Sequence, residues 1–129
     1  MNSTPAIMTL HLRYRLWIAE MNFDINVLRI FEDYIQELSH KNEQPEVKTG
    51  IENFKDKFTD IRIEIDELRH EMHLRKMKLA AVSRQGKQLD DETYKAERHD
   101  DLMKQYIDFR KKIDRLKIEF TDFENKWLN

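Results

Sequence analysis

From Ile7 onward, apolar residues recur at alternating steps of three and four. Ile7, Leu10, Tyr14, Trp17, Met21, Leu28, Phe31, Ile35 and Leu38 form one stripe, with Asp24 as its single polar member. These steps match the seam of a heptad helix rather than the two-residue alternation of a strand. Thr4 followed by Pro5 reads as an N-cap and first helical residue, because the N–H that proline lacks would be unsatisfied there anyway. The first helix is therefore expected over about residues 5–39.

The segment Ser39 to Glu46 carries no periodicity and contains the second proline, so it reads as a connection. Beyond it the stripe resumes as Val47, Ile51, Phe54, Phe58, Ile61, Ile65, Leu68, Met72, Leu79 and Val82, broken only by Arg75. Thr49 and Glu52 have capping-box spacing, and Pro45 could open the helix a turn earlier; the expected span is about 46–84. Gly86 stands where a left-handed C-cap belongs, and Asp90 or Asp91 can cap the next helix. That third helix is expected over about 90–128, with Lys95, His99, Leu102, Tyr106, Phe109, Ile113, Leu116, Phe120, Phe123 and Trp127 on its seam.

Two short connections make successive helices antiparallel. The expected fold is all-α: a single domain, 1–129, built as an elongated antiparallel three-helix coiled-coil bundle. The alternative is a hairpin of the second and third helices, with the first pairing in an oligomer. In length and pattern the chain resembles generic three-helix coiled-coil modules such as spectrin-like repeats, and that likeness concerns architecture alone.

Composition narrows the chemistry. The chain has 129 residues, 37% of them charged, two glycines, two prolines and no cysteine. Glycine-punctuated nucleotide folds and turn-rich β folds are poorly served by that mixture. Disulfides, thiolate nucleophiles and cysteine-based metal sites are excluded, which fits a reducing compartment and makes the cytoplasm the expected location. A net charge of −2 supplies no global field toward nucleic acid or anionic lipid. No apolar run approaches the roughly 20 residues of a membrane span. The first 19 residues contain no acid but lack the apolar core and cleavage site of a signal peptide.

The first helix carries a second apolar row on the face opposite its seam. Leu12, Leu16, Ala19, Phe23 and Ile30 form it together with Asn26, and Val27 and Tyr34 lie beside it. One stripe suffices for an outer helix of a bundle. The second row reads either as a helix sunk deeper between its neighbours or as an interface for a protein partner or a second copy. The interface reading is preferred, with Leu12, Leu16, Ala19, Phe23, Val27, Ile30 and Tyr34 as its residues.

On the second helix Lys48, Lys55, Arg62, Arg69 and Lys76 recur every seventh residue beside the seam. Such a row can track phosphates or an acidic helix, or lay its aliphatic stems over the core. It is the alternative site, for nucleic acid or another anionic surface. Arg75, Lys76, Lys78, Arg84 and Lys87 make the end of that helix basic beside Arg13 and Arg15, as the helix dipole also favours.

Glu37 with His40 and Glu67 with His70 have the i, i+3 spacing of di-metal carboxylate sites. All four fall on faces turned away from the core, and His70 and His73 are too close for a zinc-protease pair. No phosphate loop or nucleophile elbow occurs either. The expectation is a non-enzymatic helical interaction module that self-associates or docks into a larger assembly, without metal, cofactor or small-molecule substrate. Polar seam residues act as register devices. Counting residue rises places Arg75 and His99 in one layer near Tyr14 and Trp17, and predicts a hydrogen bond from the Tyr106 hydroxyl to Asp24.

Overall fold

A computed structural model describes residues 5–127, and among these the chain is entirely helical outside its connections. Four helices succeed one another: α1 (Ile7–Ser39), α2 (Pro45–Arg84), α3 (Asp91–Ala96) and α4 (His99–Trp127). At about 1.5 Å per residue the longest, α2, is roughly 60 Å long.

The ends of the helices correct several expectations. Ala6, without a side-chain cap bond, precedes α1, so Pro5 lies before the helix; the expected cap, Thr4, lies outside the described residues. Pro45 opens α2 at its first turn, one turn ahead of the Thr49 and Glu52 alternative. Gly86 has φ of 70°. Its N–H donates to the Ser83 carbonyl and the Lys87 N–H to the Val82 carbonyl, a Schellman ending to α2. The Asp90 side chain accepts from the Thr93 N–H and caps α3.

The expected third helix is broken. Arg98 adopts φ of 57°, separating α3 from α4. Lys95, assigned to the seam, is exposed, and Tyr94 is buried in its place. Two groups hold the break. The Arg75 Nε donates to the Glu97 carbonyl at 3.0 Å, and the Glu97 carboxylate accepts from His99 at 2.7 Å. Leaving the helix there lets both Tyr94 and His99 point inward, which an unbroken heptad would not allow.

One hydrophobic core runs the length of the bundle. Contacts between α1 and α2 run in opposite sense, from Asn22 with Arg69 to Glu32 with Arg62. Those between α2 and α4 are also opposed, from Lys57 with Glu119 to Glu64 with Lys112. α1 and α4 run alongside each other and meet through large rings: Trp17 stacks on Tyr106 at 4.9 Å, and Phe31 meets Phe120 at 4.7 Å. Near the far end Gly50 admits the Phe123 ring, since a Cβ there would stand 2.7 Å from its Cζ. Ile18 and Ile25, outside the expected seam, are buried on the α1 flank that also carries Glu32 toward α2. No helix among the described residues is long and apolar enough to cross a membrane.

Candidate functional site

The inner side of α1 is fixed by polar ties as well as by the core, and these decide which face it presents outward. Asp24 is fully buried. Its carboxylate accepts from both terminal nitrogens of Arg110 and from Lys117 Nζ at 3.2 Å. The Tyr106 hydroxyl donates to Glu20 instead. The expected bond from Tyr106 to Asp24 is therefore replaced, one helical turn away on each helix, because cations on α4 satisfy a buried carboxylate better than a phenol does. Burial alone would lower the Arg110 pKa, but the Asp24 hydrogen bond and the charges of Asp24 and Glu20 raise it. Burial, with the Glu20 bond, pushes the Tyr106 hydroxyl up.

The layer expected around Arg75 and His99 is present. His99 is wholly buried, stacked on Tyr94 at 5.3 Å and bonded through Nδ1 to the Tyr14 hydroxyl at 2.5 Å. The Glu97 carboxylate can only accept, so the proton sits on His99 Nε2 and Nδ1 accepts from Tyr14. Burial lowers the His99 pKa against the opposing pull of Glu97, which keeps the ring neutral. It also raises that of Tyr14. The ring thereby ties α1 to the α3–α4 junction, and Arg75 joins the same layer from α2 through the Glu97 carbonyl.

With its inner face so held, α1 turns the second row outward. Leu12, Leu16, Phe23 and Ile30 are 51%, 59%, 63% and 66% exposed, and Ala19 is exposed between them. Met8, one turn before Leu12, continues the row and was not singled out by the sequence reading, although the i, i+4 spacing reaches it. Val27 is half-buried. Tyr34 is half-buried too, its ring edge-on to Phe120 at 6.4 Å, so it belongs partly to the core. Lys117 reaches over the Phe23 ring at 5.9 Å, placing Phe23 at the margin between α1 and α4. The row does not sink between its neighbours, because the core is already filled by the seam together with Ile18 and Ile25.

The basic row of α2 lies against α1 and local acids rather than standing clear. Arg62 pairs with Glu32 at 2.6 Å, Arg69 with Asp66 at 2.6 Å and with the Asn22 side chain at 2.8 Å, and Lys55 with Glu52 at 3.5 Å. Lys48 and Lys76 remain without such partners among the described residues. Arg75 is committed to Glu71 and the Glu97 carbonyl.

Glu37, His40, Glu67, His70 and His73 are all exposed. Among the described residues no three His, Asp or Glu side chains converge as metal ligands would. Partial desolvation, with the charges of Lys76 and Arg69 nearby, lowers the His73 pKa even though its side chain is exposed.

Sequence reading also missed the surface between α2 and α4 on the side that α1 leaves uncovered. A shallow groove there is lined by Asp60, Ile63, Glu64, Glu67, Glu71 and Asp108. Its signal in the sequence was Ile63, an apolar residue off the seam among acids. Compared with known protein families, with curated proteins and with solved structures, the chain matches none of them.

Proposed function

We propose that this protein is a non-enzymatic interaction module, a coiled-coil scaffold of three antiparallel long helices that docks onto a protein surface through the outer row of α1. One observation carries the reading: Leu12, Leu16, Phe23 and Ile30 each leave more than half of an apolar side chain in water along a single helical face. Scattered exposed apolar residues need no explanation, but a row interrupted only at Asn26 along one face is what a helix that completes its burial against a partner presents. Each of these side chains would gain about 1–2 kcal/mol on burying its remaining surface, gross of the cost of association. The polar ties from Asp24, Tyr14 and Glu20 support the same reading, since they prevent α1 from rolling its outer row inward. The absence of cysteine fits work in the cytoplasm.

The test is capture of binding proteins from the native cells by the tagged chain, with and without nuclease, against Phe23→Glu and Leu16→Glu. Proteins retained after nuclease and lost in both variants, with helicity unchanged by circular dichroism, support the reading. Equal capture by both variants refutes it, and capture that needs intact nucleic acid and ignores Phe23 transfers the function to Lys48, Lys76 and their row.

A further inference from the structure

The break between α3 and α4 depends on one buried ring. Arg98 stands in the left-handed region, with φ of 57°, where a residue carrying a Cβ is strained. α3 has six residues, too few to persist as a helix without tertiary support. Much of that support gathers around His99. The Tyr94 side chain is buried and stacks on the ring, and its hydroxyl donates to Asp100. The Arg75 Nε donates to the Glu97 carbonyl at 3.0 Å, and His99 Nε2 donates to the Glu97 carboxylate at 2.7 Å. Further along α4, Tyr106 and Phe120 pack on Trp17, Phe31 and Phe58 and share none of these contacts.

The groups that face the ring are Tyr14 from α1, Arg75 from α2, Tyr94 from α3, Glu97 from the junction and Asp100 from the first turn of α4. Arg13 of α1 acts on Tyr94 in turn. Glu97 and Asp100 favour a charged ring, whereas burial and Arg75 oppose it, and burial is the largest of these influences. A charged ring also meets a bonding conflict. With Nε2–H given to Glu97, its second N–H points at the Tyr14 hydroxyl. That hydroxyl belongs to a fully buried residue and has no other bonded partner among the described residues, so it could accept only by leaving its own proton unpaired. Opening the junction hydrates the ring and removes both penalties. The way in is short, because a cleft of about 200 Å³ lined by Tyr94, Lys95, Arg98 and Asp101 borders the ring.

We propose that residues 91–98 form a pH-operated flap on this end of the bundle, closed while His99 is neutral and opened when the ring takes a proton. The sign comes from linkage. The open segment binds that proton as an ordinary histidine does, near pH 6.5, and the closed one binds it more weakly, so opening takes up a proton and acid drives it. Between pH 7.5 and 5.5 the opening constant should rise by up to about tenfold. An open flap takes Tyr94 out of the core. The charged ring no longer accepts from Tyr14, so the tie from α1 to this junction is lost with it.

The experiment is amide hydrogen exchange of the full chain by mass spectrometry, with rates over 91–98 and 102–120 divided by the intrinsic chemical rate at each pH. Protection over 91–98 should fall by up to about tenfold from pH 7.5 to 5.5. Low urea should leave it unchanged while accelerating exchange over 102–120, since a small opening exposes little surface. In His99→Gln the amide oxygen can accept from Tyr14 and the amide nitrogen can donate to Glu97, so the segment should be protected equally at both pH values. Should glutamine alone leave it open, adding Arg98→Gly relieves the left-handed strain, and the double variant should be protected and indifferent to pH. A fall that persists in a protected His99→Gln chain, alone or with Arg98→Gly, overturns the inference. Protection over 91–98 that stays flat from pH 7.5 to 5.5 in the native chain overturns it too. So does urea that accelerates 91–98 as steeply as 102–120, which would make the whole bundle the unit that opens.

Discussion

The buried carboxylate of Asp24 offers the sharpest quantitative test of how α1 is held. Its side chain is 0% exposed, and its two cations, Arg110 and Lys117, are 21% and 25% exposed. The cations can reach water and the carboxylate cannot, so the cost of disruption depends on which partner is removed. Arg110→Met leaves Asp24 with Lys117 at 3.2 Å, and should cost about 2 kcal/mol. Lys117→Met, with the two-pronged Arg110 contact intact, should cost about 1 kcal/mol. Removing both strands a buried charge, for which about 4–5 kcal/mol is expected, exceeding the sum of the single losses. Adding Asp24→Leu to that pair should recover most of the loss, because an apolar trio of similar volume needs no desolvation of charge. The assay is urea unfolding monitored by circular dichroism, with ΔΔG taken at constant m. Thermal midpoints should fall by about 4 °C per kcal/mol in a chain of this size. Additive losses below about 1 kcal/mol in the double variant, or no recovery on adding Asp24→Leu, would refute the claim that this network holds α1 to α4.

Two further outcomes are expected of the same structure. His99 is held neutral by burial with a pKa below its unfolded value, so the unfolded chain binds the extra proton first; stability is intact above about pH 6.5 and declines below it, by at most about 1.4 kcal/mol per pH unit. Unfolding midpoints measured from pH 7.5 to 5.5 should show this decline, and His99→Gln should lose that component of the slope; an unchanged slope in the variant would place the titration elsewhere. Gly50→Ala should destabilise by about 1 kcal/mol despite a gain of about 1 kcal/mol in helix propensity, because the new methyl enters the space of the Phe123 ring, which packs on Phe54 at 5.1 Å. A neutral or stabilised Gly50→Ala, read by the same unfolding assay, would show that Phe123 moves aside freely.

How much was legible in the sequence varies from one residue to the next. The seams of α1 and α2 were readable because burial on one side of a long helix imposes its period directly on residue type, and Gly86 and Asp90 were readable because left-handed backbone and helix N-termini admit few residue types. The exposed row from Leu12 to Ile30 was visible as a pattern, but whether it lay outside or inside depended on what else filled the core. Lys95 in a seam was a sign of trouble with the third helix, yet nothing local announced that Arg98 would take φ of 57°. That break is sustained by Arg75, twenty-three residues earlier in the chain.

By itself, then, the sequence determined that this chain is helical, where its first two long helices run and which stripe of each is apolar, since these arise from periodicity and local backbone preference. Tertiary structure alone decided who satisfies the polar residues among those stripes. Asp24 found Arg110 and Lys117 in place of Tyr106, and His99 found Tyr14 and Glu97. The reason is physical: burial is nearly indifferent to which apolar side chain supplies it, so a pattern suffices, whereas a buried charge or hydrogen bond depends on ångström distances between residues far apart in the chain, and only the packed bundle sets those distances.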